Sequence, residues 1–485
     1  MGDPGFMDVS TEAAQAGNQF NKNKLLNADF FIGTWIMFFA LAMLPNLNNA
    51  YPLKGDESFY TVSAMNMIQR GEPLAPWYFG AYRFNKPILP YLVVAASYRV
   101  FGVSMWSARL MMLMITCVIL FITYRCSILL FKNREKAVLA TTVLSACYLC
   151  VGFARIAMTE PILTFFTLCA LYMYVSMFER RSHLFLKGVL GALFTGLAFM
   201  TKGPAGLFVL PAAVIYAAVK GGVDRRKLLW AILNPLSLVV IVLIVAPWYL
   251  YIKGAYPEVL QQNLQTEKGS FLNTFNIGKI AIRALFYVGA LLLVHVPFVI
   301  AAVASFIKKR ERQRGTVMYL IWFCSLYLFV FIFLVNMHKE RYLTVIAPAV
   351  SMIVAACLHS EKWKNWVKIA CVISIFQIML YNCYPLFSHE ALRALVRTWR
   401  TEYNGTLGLP LDRKRVGWCR LYAHDRHVVS PDSADFLIVT EKERDTYQRW
   451  KVVSTEKRLS SLHFKGGKPV VKYRTFHLLQ RPEEL

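Results

Sequence analysis

The sequence predicts an all-α polytopic membrane protein, of about eleven transmembrane helices with interfacial helices, followed by a small C-terminal α/β extramembrane domain. Three observations predict it. Of 485 residues, 56% are hydrophobic and only 17% are charged, with a mean hydropathy of +0.43; a typical soluble domain carries about 25% charge. The apolar residues gather into runs near the roughly 20-residue length that crosses a bilayer as a helix. Clusters of Lys and Arg separate alternate runs, as they do in loops kept on the cytoplasmic side.

In chain order, residues 1–29 are polar, carry no cleavable-signal pattern, and read as a cytoplasmic tail. Residues 30–387 form the membrane domain. Its apolar runs fall at 30–48, 105–131, 137–153, 161–178, 188–200, 205–219, 228–252, 284–307, 315–335, 342–358 and 367–387. The pair 188–200 and 205–219 is short and reads either as two steep helices or as a re-entrant hairpin broken at Gly203-Pro204. Both flanks of the pair are basic, so either reading leaves the topology unchanged.

Five short loops carry Lys132/Arg134/Lys136, Arg180/Arg181/Lys187, Lys220/Arg225/Arg226/Lys227, Lys308/Lys309/Arg310/Arg312/Arg314 and Lys362/Lys364/Lys368. All five fall on one side, which the positive-inside rule makes cytoplasmic. The outer side then holds two long loops, 49–104 and 253–283. The first contains two stretches suited to helices lying along the interface, Asp56–Gln69 and Pro87–Val100. Loops of this length usually serve a function. Residues 388–485 turn polar, with strand-like stretches at Asp435–Thr440 and Pro469–Tyr473 around a helix candidate, Glu441–Trp450. They read as an extramembrane domain on the outer side; long domains cross irrespective of their charge.

Composition also excludes classes. The net charge of +26 is explained by the basic loops, and no basic motif with interleaved aromatics points to nucleic acid. No P-loop or dinucleotide-binding glycine pattern occurs, which argues against a nucleotide-driven pump. Eight of the ten cysteines lie in apolar runs and behave as small hydrophobes. Cys147-x-x-Cys150 lies inside a span without a second pair and reads as packing. Cys383 and Cys419 stand in or beside the C-terminal region, where a disulfide between them has no further support.

The ionisable residues of the outer side are clustered, and charges at or in spans are costly and usually functional. Asp56-Glu57 follow the first span. Adjacent carboxylates there can take a proton from an acceptor hydroxyl, hold a divalent cation, or favour a helix N-terminus. Arg83-Phe84-Asn85-Lys86-Pro87 places Lys86 ahead of a helix-starting proline, suited to a phosphate or to snorkelling toward headgroups. Arg109 stands in the first turn of a span, where snorkelling is the plainer account. Arg155 and Glu160 bracket a short link; a carboxyl held between apolar helices is expected to retain its proton and to act in proton transfer or acceptor binding. Lys202 stands at the Gly203-Pro204 break. His338-Lys339-Glu340-Arg341-Tyr342 joins two spans, with Lys339 and Arg341 suited to phosphate oxygens. Each cluster taken singly also reads as an interfacial anchor. Together they supply a base for a hydroxyl and cations for a departing phosphate, on a face without ATP. A phosphorylated lipid would supply both the leaving group and the location.

In order and spacing these clusters resemble the GT-C fold membrane glycosyltransferases of the branch that contains the lipid A aminoarabinose transferases and the protein O-mannosyltransferases. The resembling residues are Asp56-Glu57-x-x-Tyr60, Lys86-Pro87 with Tyr91, Gly102, Trp106-x-x-Arg109-Leu110, Arg155, Glu160, Thr201-Lys202-Gly203-Pro204, Pro247-Trp248-Tyr249, and Lys339-x-x-Tyr342 with Pro348. They span about residues 30–350. The resemblance implies a catalytic set of Asp56, Glu57 and Glu160, and a donor-phosphate set of Lys86, Arg83, Lys202, Lys268, Lys339 and Arg341. Tyr60, Tyr82, Arg109, Arg155, His338 and Tyr342 would line the cavity. It implies a polyprenyl-phosphate (undecaprenyl in bacteria) sugar donor, inversion at the anomeric carbon, no metal and no other cofactor. The acceptor would be lipid A, another glycan or a protein, at the periplasmic face of the inner membrane.

The chain departs from the pattern twice. Lys86-Pro87-Ile88 stands where relatives often read Lys-Pro-Pro. Glu267-Lys268-Gly269-Ser270-Phe271 stands where they carry Glu-His and an arginine before phenylalanine, so Lys268 would take the basic role. A transporter or flippase of a lipid-linked sugar would instead need charges distributed through the spans and paired inverted halves. Neither pattern occurs. A scaffold would have no use for Asp56, Lys86 and Glu160 together.

Overall fold

The computed structural model describes residues 28–48, 56–78, 80–220, 222–271, 277–309, 317–333, 335, 338–358, 362–383, 390–410, 428–465 and 468–482. Helices occupy each of the apolar runs. They begin with α1 (Ala28–Met43). The segment expected to form the first outer loop holds α2 (Glu57–Arg70), a two-stranded ribbon of β1 (Trp77–Tyr78) and β2 (Ala81–Tyr82), and α3 (Leu89–Phe101). The bundle continues with α4 (Met105–Phe131), α5 (Arg134–Ser145), α6 (Tyr148–Phe153), α7 (Thr159–Arg180), α8 (Leu184–Lys202), α9 (Val209–Lys220), α10 (Arg225–Leu233) and α11 (Pro235–Ala255). After α12 (Pro257–Phe271) come α13 (Ile277–Val294), α14 (Phe298–Lys309), α15 (Val317–Phe333), α16 (Ala347–Cys357) and α17 (Trp363–Cys383).

Among the described residues, six stretches are long and apolar enough to cross a membrane: Met105–Phe131, Thr159–Arg180, Leu184–Gly206, Gly222–Ala255, Ile277–Val294 and Trp363–Cys383. Shorter apolar helices include α1, α3, α9, α15 and α16.

Local chemistry sets the boundaries. The Ser104 hydroxyl accepts from the Ser107 amide, and the Ser107 hydroxyl from the Ser104 amide, closing a capping box at the start of α4. Asn133 caps α5 through the Lys136 amide, and Asn234 caps α11 just ahead of Pro235. The run 137–153 is broken at Ala146-Cys147. There α17 supplies donors to the freed carbonyls: Gln377 Nε2 to Ala146 at 3.0 Å and Ser374 Oγ to Ser145 at 3.0 Å. Gly203, at φ +63°, ends α8 in a conformation that side chains resist. Gly188 lets α8 meet α10, since a Cβ there would stand 1.8 Å from the Ala231 carbonyl oxygen.

Two apolar cores share the membrane domain. The larger joins α1, α4–α10 and α13–α17, and Cys147 and Cys150 are buried within it, as packing residues. The smaller gathers α2, α3, the start of α4, Met200, Trp248 and Ile252. The basic turn between α7 and α8 meets that after α9 through Arg181 and Asp224, 3.7 Å apart. It lies at the opposite end of α7 and α8 from Glu160 and Lys202.

The C-terminal unit has its own core. α18 (Glu390–Glu402) buries Leu392, Leu395, Val396 and Trp399, one helical stripe, against a five-stranded sheet. The sheet runs β4 (Val428–Val429), β3 (Leu407–Gly408), β5 (Phe436–Thr440), β7 (Lys468–Gln480), β6 (Lys451–Lys465). β3 pairs parallel with β4 and β5; β7 pairs antiparallel with β5 and β6. The expected helix at Glu441–Trp450 is one turn only, α19 (Glu441–Arg444), followed by a 3-10 turn at Asp445–Tyr447. The chain must re-enter the sheet at Lys451, and Tyr447 and Trp450 pack on its second face. Cys383 is free and exposed; Cys419 lies outside the described residues.

Candidate functional site

Four segments far apart in sequence bring charge to one end of the bundle: the start of α2, the start of α7, the end of α8, and the 3-10 turn Glu340–Val345 ahead of α16. Arg341 Nη1 donates to Asp56 Oδ2 at 2.7 Å. Its Nε stands 3.4 Å from Glu160 Oε1, an ion-pair contact without a hydrogen bond. Lys202 Nζ donates to Glu160 Oε1 at 2.9 Å and sits 4.5 Å over the Tyr342 ring, within reach of a cation–π attraction. Lys86 is close enough to act electrostatically on Lys202.

Burial differs sharply along this row. The Glu160 side chain is 1% exposed and that of Arg341 8%, while Asp56 is 36% exposed. Asp56 is therefore the carboxylate open to an arriving molecule. Burial works against the charge of Arg341, but Glu160 and Asp56 outweigh it and hold the guanidinium ionised beyond its ordinary range. Glu160 is not the apolar-held carboxyl expected from its neighbours in sequence. Two cations from other elements flank it.

Glu57 lies elsewhere, 1% exposed, in a bidentate pair with Arg109 at 2.8 and 2.7 Å. It also accepts from the Ala157 amide at 2.9 Å, and Arg109 donates to the Leu47 carbonyl at 2.7 Å. Such fork-to-fork pairing fixes geometry as well as charge. Arg109 is thus fully buried in a pair, not extended to the interface. Through Glu57 the start of α2 is tied to α4 and to the link ahead of α7. Asp56 is its chain neighbour, and Glu160 follows Ala157 by three residues.

Arg155 faces away from the charged row. It donates to Asn382 Oδ1 at 2.7 Å and to the Pro45 carbonyl, and Asn382 donates to the Ala42 carbonyl at 2.9 Å. It fastens α1, α17 and the link together, and burial pushes it down to about 10. Tyr60 is buried beside Tyr91, with ring centroids 5.3 Å apart. Burial, and then Tyr91, raise its hydroxyl well above the ordinary range, so it stays neutral. Arg83 rests 3.8 Å over the Phe59 ring and acts electrostatically on Tyr60.

The remaining expected residues are more peripheral. Tyr82 donates to Glu72 at 3.1 Å and packs 4.4 Å from the Tyr256 ring. His338 is exposed, edge-on to Phe286 at 5.6 Å. Lys339 lends its carbonyl to the Tyr342 amide. Lys268 lies on α12, and its side chain is outside the described residues. Sequence reasoning missed Asn382, Glu72 and Arg283. The last is fully buried on α13, with Nη1 on the Val335 carbonyl at 2.8 Å. Its signal was available: an arginine at the edge of an apolar run. Among the described residues, no group of three or more His, Cys, Asp or Glu is placed to hold a metal ion.

Comparison with known proteins agrees with this architecture. Residues 85–251 match the family described as dolichyl-phosphate-mannose-protein mannosyltransferase. An uncharacterized protein of Aquifex aeolicus (strain VF5) is 30% identical over 319 residues, 64% of this chain and 60% of that one. The undecaprenyl phosphate-alpha-4-amino-4-deoxy-L-arabinose arabinosyl transferase of Pectobacterium carotovorum subsp. carotovorum (strain PC1) is 30% identical over 219 residues, 44% of this chain and 38% of that enzyme. The chain thus spans between about two fifths and three fifths of the curated relatives it matches. In the solved structures, ArnT from Cupriavidus metallidurans bound to undecaprenyl phosphate is similar with a TM-score of 0.69 at 12% identity, over 92% of this chain and 98% of that one. The chain therefore has a GT-C, ArnT-like fold and is related in sequence to the aminoarabinose transferases.

Proposed function

We propose that this chain, a GT-C fold relative of the aminoarabinose transferases, moves a sugar from a polyprenyl phosphate to an acceptor on the periplasmic face of the inner membrane. The observation that carries the reading is the convergence of Asp56, Glu160, Lys202 and Arg341 at the end of the bundle opposite the basic α7–α8 turn, with Lys86 in electrostatic range. The three cations Lys86, Lys202 and Arg341 gathered there suit a carrier phosphate. The named relative acts with undecaprenyl phosphate-linked aminoarabinose, and the similar crystal structure holds undecaprenyl phosphate; both support a donor of that class here.

In this reading the acceptor oxygen attacks the anomeric carbon from the face opposite the phosphate. The carbon–oxygen bond to the phosphate breaks, and the phosphate departs with that oxygen and the electron pair, toward Lys86, Lys202 and Arg341. The acceptor proton passes to the Asp56 carboxylate, and the anomeric centre inverts. Glu160 holds the two cations in place. Glu57 acts through Arg109 and Ala157 as a positioning residue.

Lipid A is the first acceptor to try, since the sequence relatives are aminoarabinose transferases. The match of residues 85–251 to a protein mannosyltransferase family makes a secreted protein the second. The test is transfer in liposomes from a panel of polyprenyl-phosphate sugars to lipid A, read by mass spectrometry, with Asp56→Asn beside it. Removal of a general base costs roughly 10²–10⁴ in rate, so the variant should lose transfer while still binding carrier. Equal turnover would remove Asp56 from the chemistry. No consumption of any donor would favour a transporter instead.

A further inference from the structure

The geometry points to Arg341 as a donor-operated latch on Asp56, an inference that rests on the proposed transferase reading. Asp56 is the exposed carboxylate of the row, yet its Oδ2 is taken up by Arg341 Nη1 at 2.7 Å. A carboxylate oxygen engaged by a guanidinium offers its lone pairs to that group rather than to an incoming hydroxyl. As the cluster stands, the ion pair leaves Asp56 a weaker base for an acceptor hydroxyl.

The other contacts of Arg341 say what opens it. Its Nε is buried and makes no hydrogen bond, at 3.4 Å from Glu160. Glu160 has a cation of its own in Lys202, at 2.9 Å. Arg341 thus hydrogen-bonds Asp56 through Nη1, is held electrostatically by Glu160 as well, and carries a buried Nε donor still unused. A phosphate takes two guanidinium N–H groups at once, so it can satisfy Nε and draw the fork off Asp56. Lys202 and Lys86 flank the place where it would sit.

Carrier phosphate then binds first and frees Asp56, and the acceptor hydroxyl afterwards meets the stronger base. The order follows from one shared guanidinium. No movement of helices is needed, because the Glu57–Arg109 pair keeps α2 fixed on α4 throughout.

The experiment uses the full chain in nanodiscs of zwitterionic phosphatidylcholine, with and without undecaprenyl phosphate, whose binding is followed by native mass spectrometry. A water-soluble carbodiimide with glycine ethyl ester labels accessible carboxylates, and peptide mass spectrometry reads Asp56. In the wild type, carrier should raise Asp56 labelling by about fivefold or more, the lower end of typical coupling between two sites. In Arg341→Gln the labelling should be high already and indifferent to carrier. Arg341→Lys, which keeps the charge but not the fork, guards against a variant that fails to fold and should show a reduced response. Bound carrier that leaves Asp56 labelling unchanged, or lowers it, overturns the latch and leaves the transferase reading standing. No carrier binding at all removes both.

Discussion

Asp56 and Glu57 are neighbours in sequence and opposites in environment. One is 36% exposed and faces an arginine 285 positions away; the other is 1% exposed and paired with Arg109 of α4. Their roles can be separated experimentally. Removing one partner of a buried ion pair costs about 3–5 kcal/mol, because the other charge is stranded. Glu57→Ala should therefore lower the melting temperature of the detergent-solubilised protein. Glu57→Ala combined with Arg109→Leu should recover much of that loss. A Glu57→Ala protein that melts normally but cannot transfer sugar would make Glu57 a catalytic group instead. Lys86 gives a complementary prediction. Lys86→Ala should raise the apparent KM for the lipid donor with a smaller change in kcat, and an unaltered donor titration would reduce Lys86 to a headgroup anchor.

Among the elements, α8 decides the most. One face carries Gly188, Gly191, Ala192 and Thr195, all buried, and the helix ends on Lys202 at a glycine of positive φ. The small face sets how near α8 comes to α7 and α10, and hence where Lys202 meets Glu160. Gly188→Val forces side-chain atoms onto the Ala231 carbonyl and should cost about 1–3 kcal/mol or more, read as lost monodisperse protein in size exclusion. Gly33→Ala is the control, since nothing lies within 4 Å of its added Cβ. Some of these elements were legible beforehand and some were not. The runs, their basic turns and the break at Gly203-Pro204 follow from composition and backbone chemistry. The α18 stripe of Leu392, Leu395, Val396 and Trp399, and the Gly466-Gly467 dipeptide ahead of β7, are equally plain in the sequence. The break of 137–153 was not readable, because it depends on Ser374 and Gln377 of α17 reaching across to receive it.

For the whole molecule, the separate cores of the bundle and of the C-terminal sheet make orientation a question of which side each faces. Alkaline phosphatase fused after Leu485 should be active and a fluorescent protein fused there dark, if the C-terminal unit lies outside. The reverse pair of results would invert the topology and place the charged row in the cytoplasm. By itself, the sequence determined the membrane class, the helix-forming runs and the gathering of ionisable residues at one end, because hydropathy and the cost of charge in lipid act locally along the chain. Only the tertiary structure decided the pairing. Asp56 meets Arg341 across 285 positions, and Glu57 meets Arg109 across 52. Local periodicity says which face of a helix is apolar, but it carries no record of which distant helix will pack there and bring its charge along.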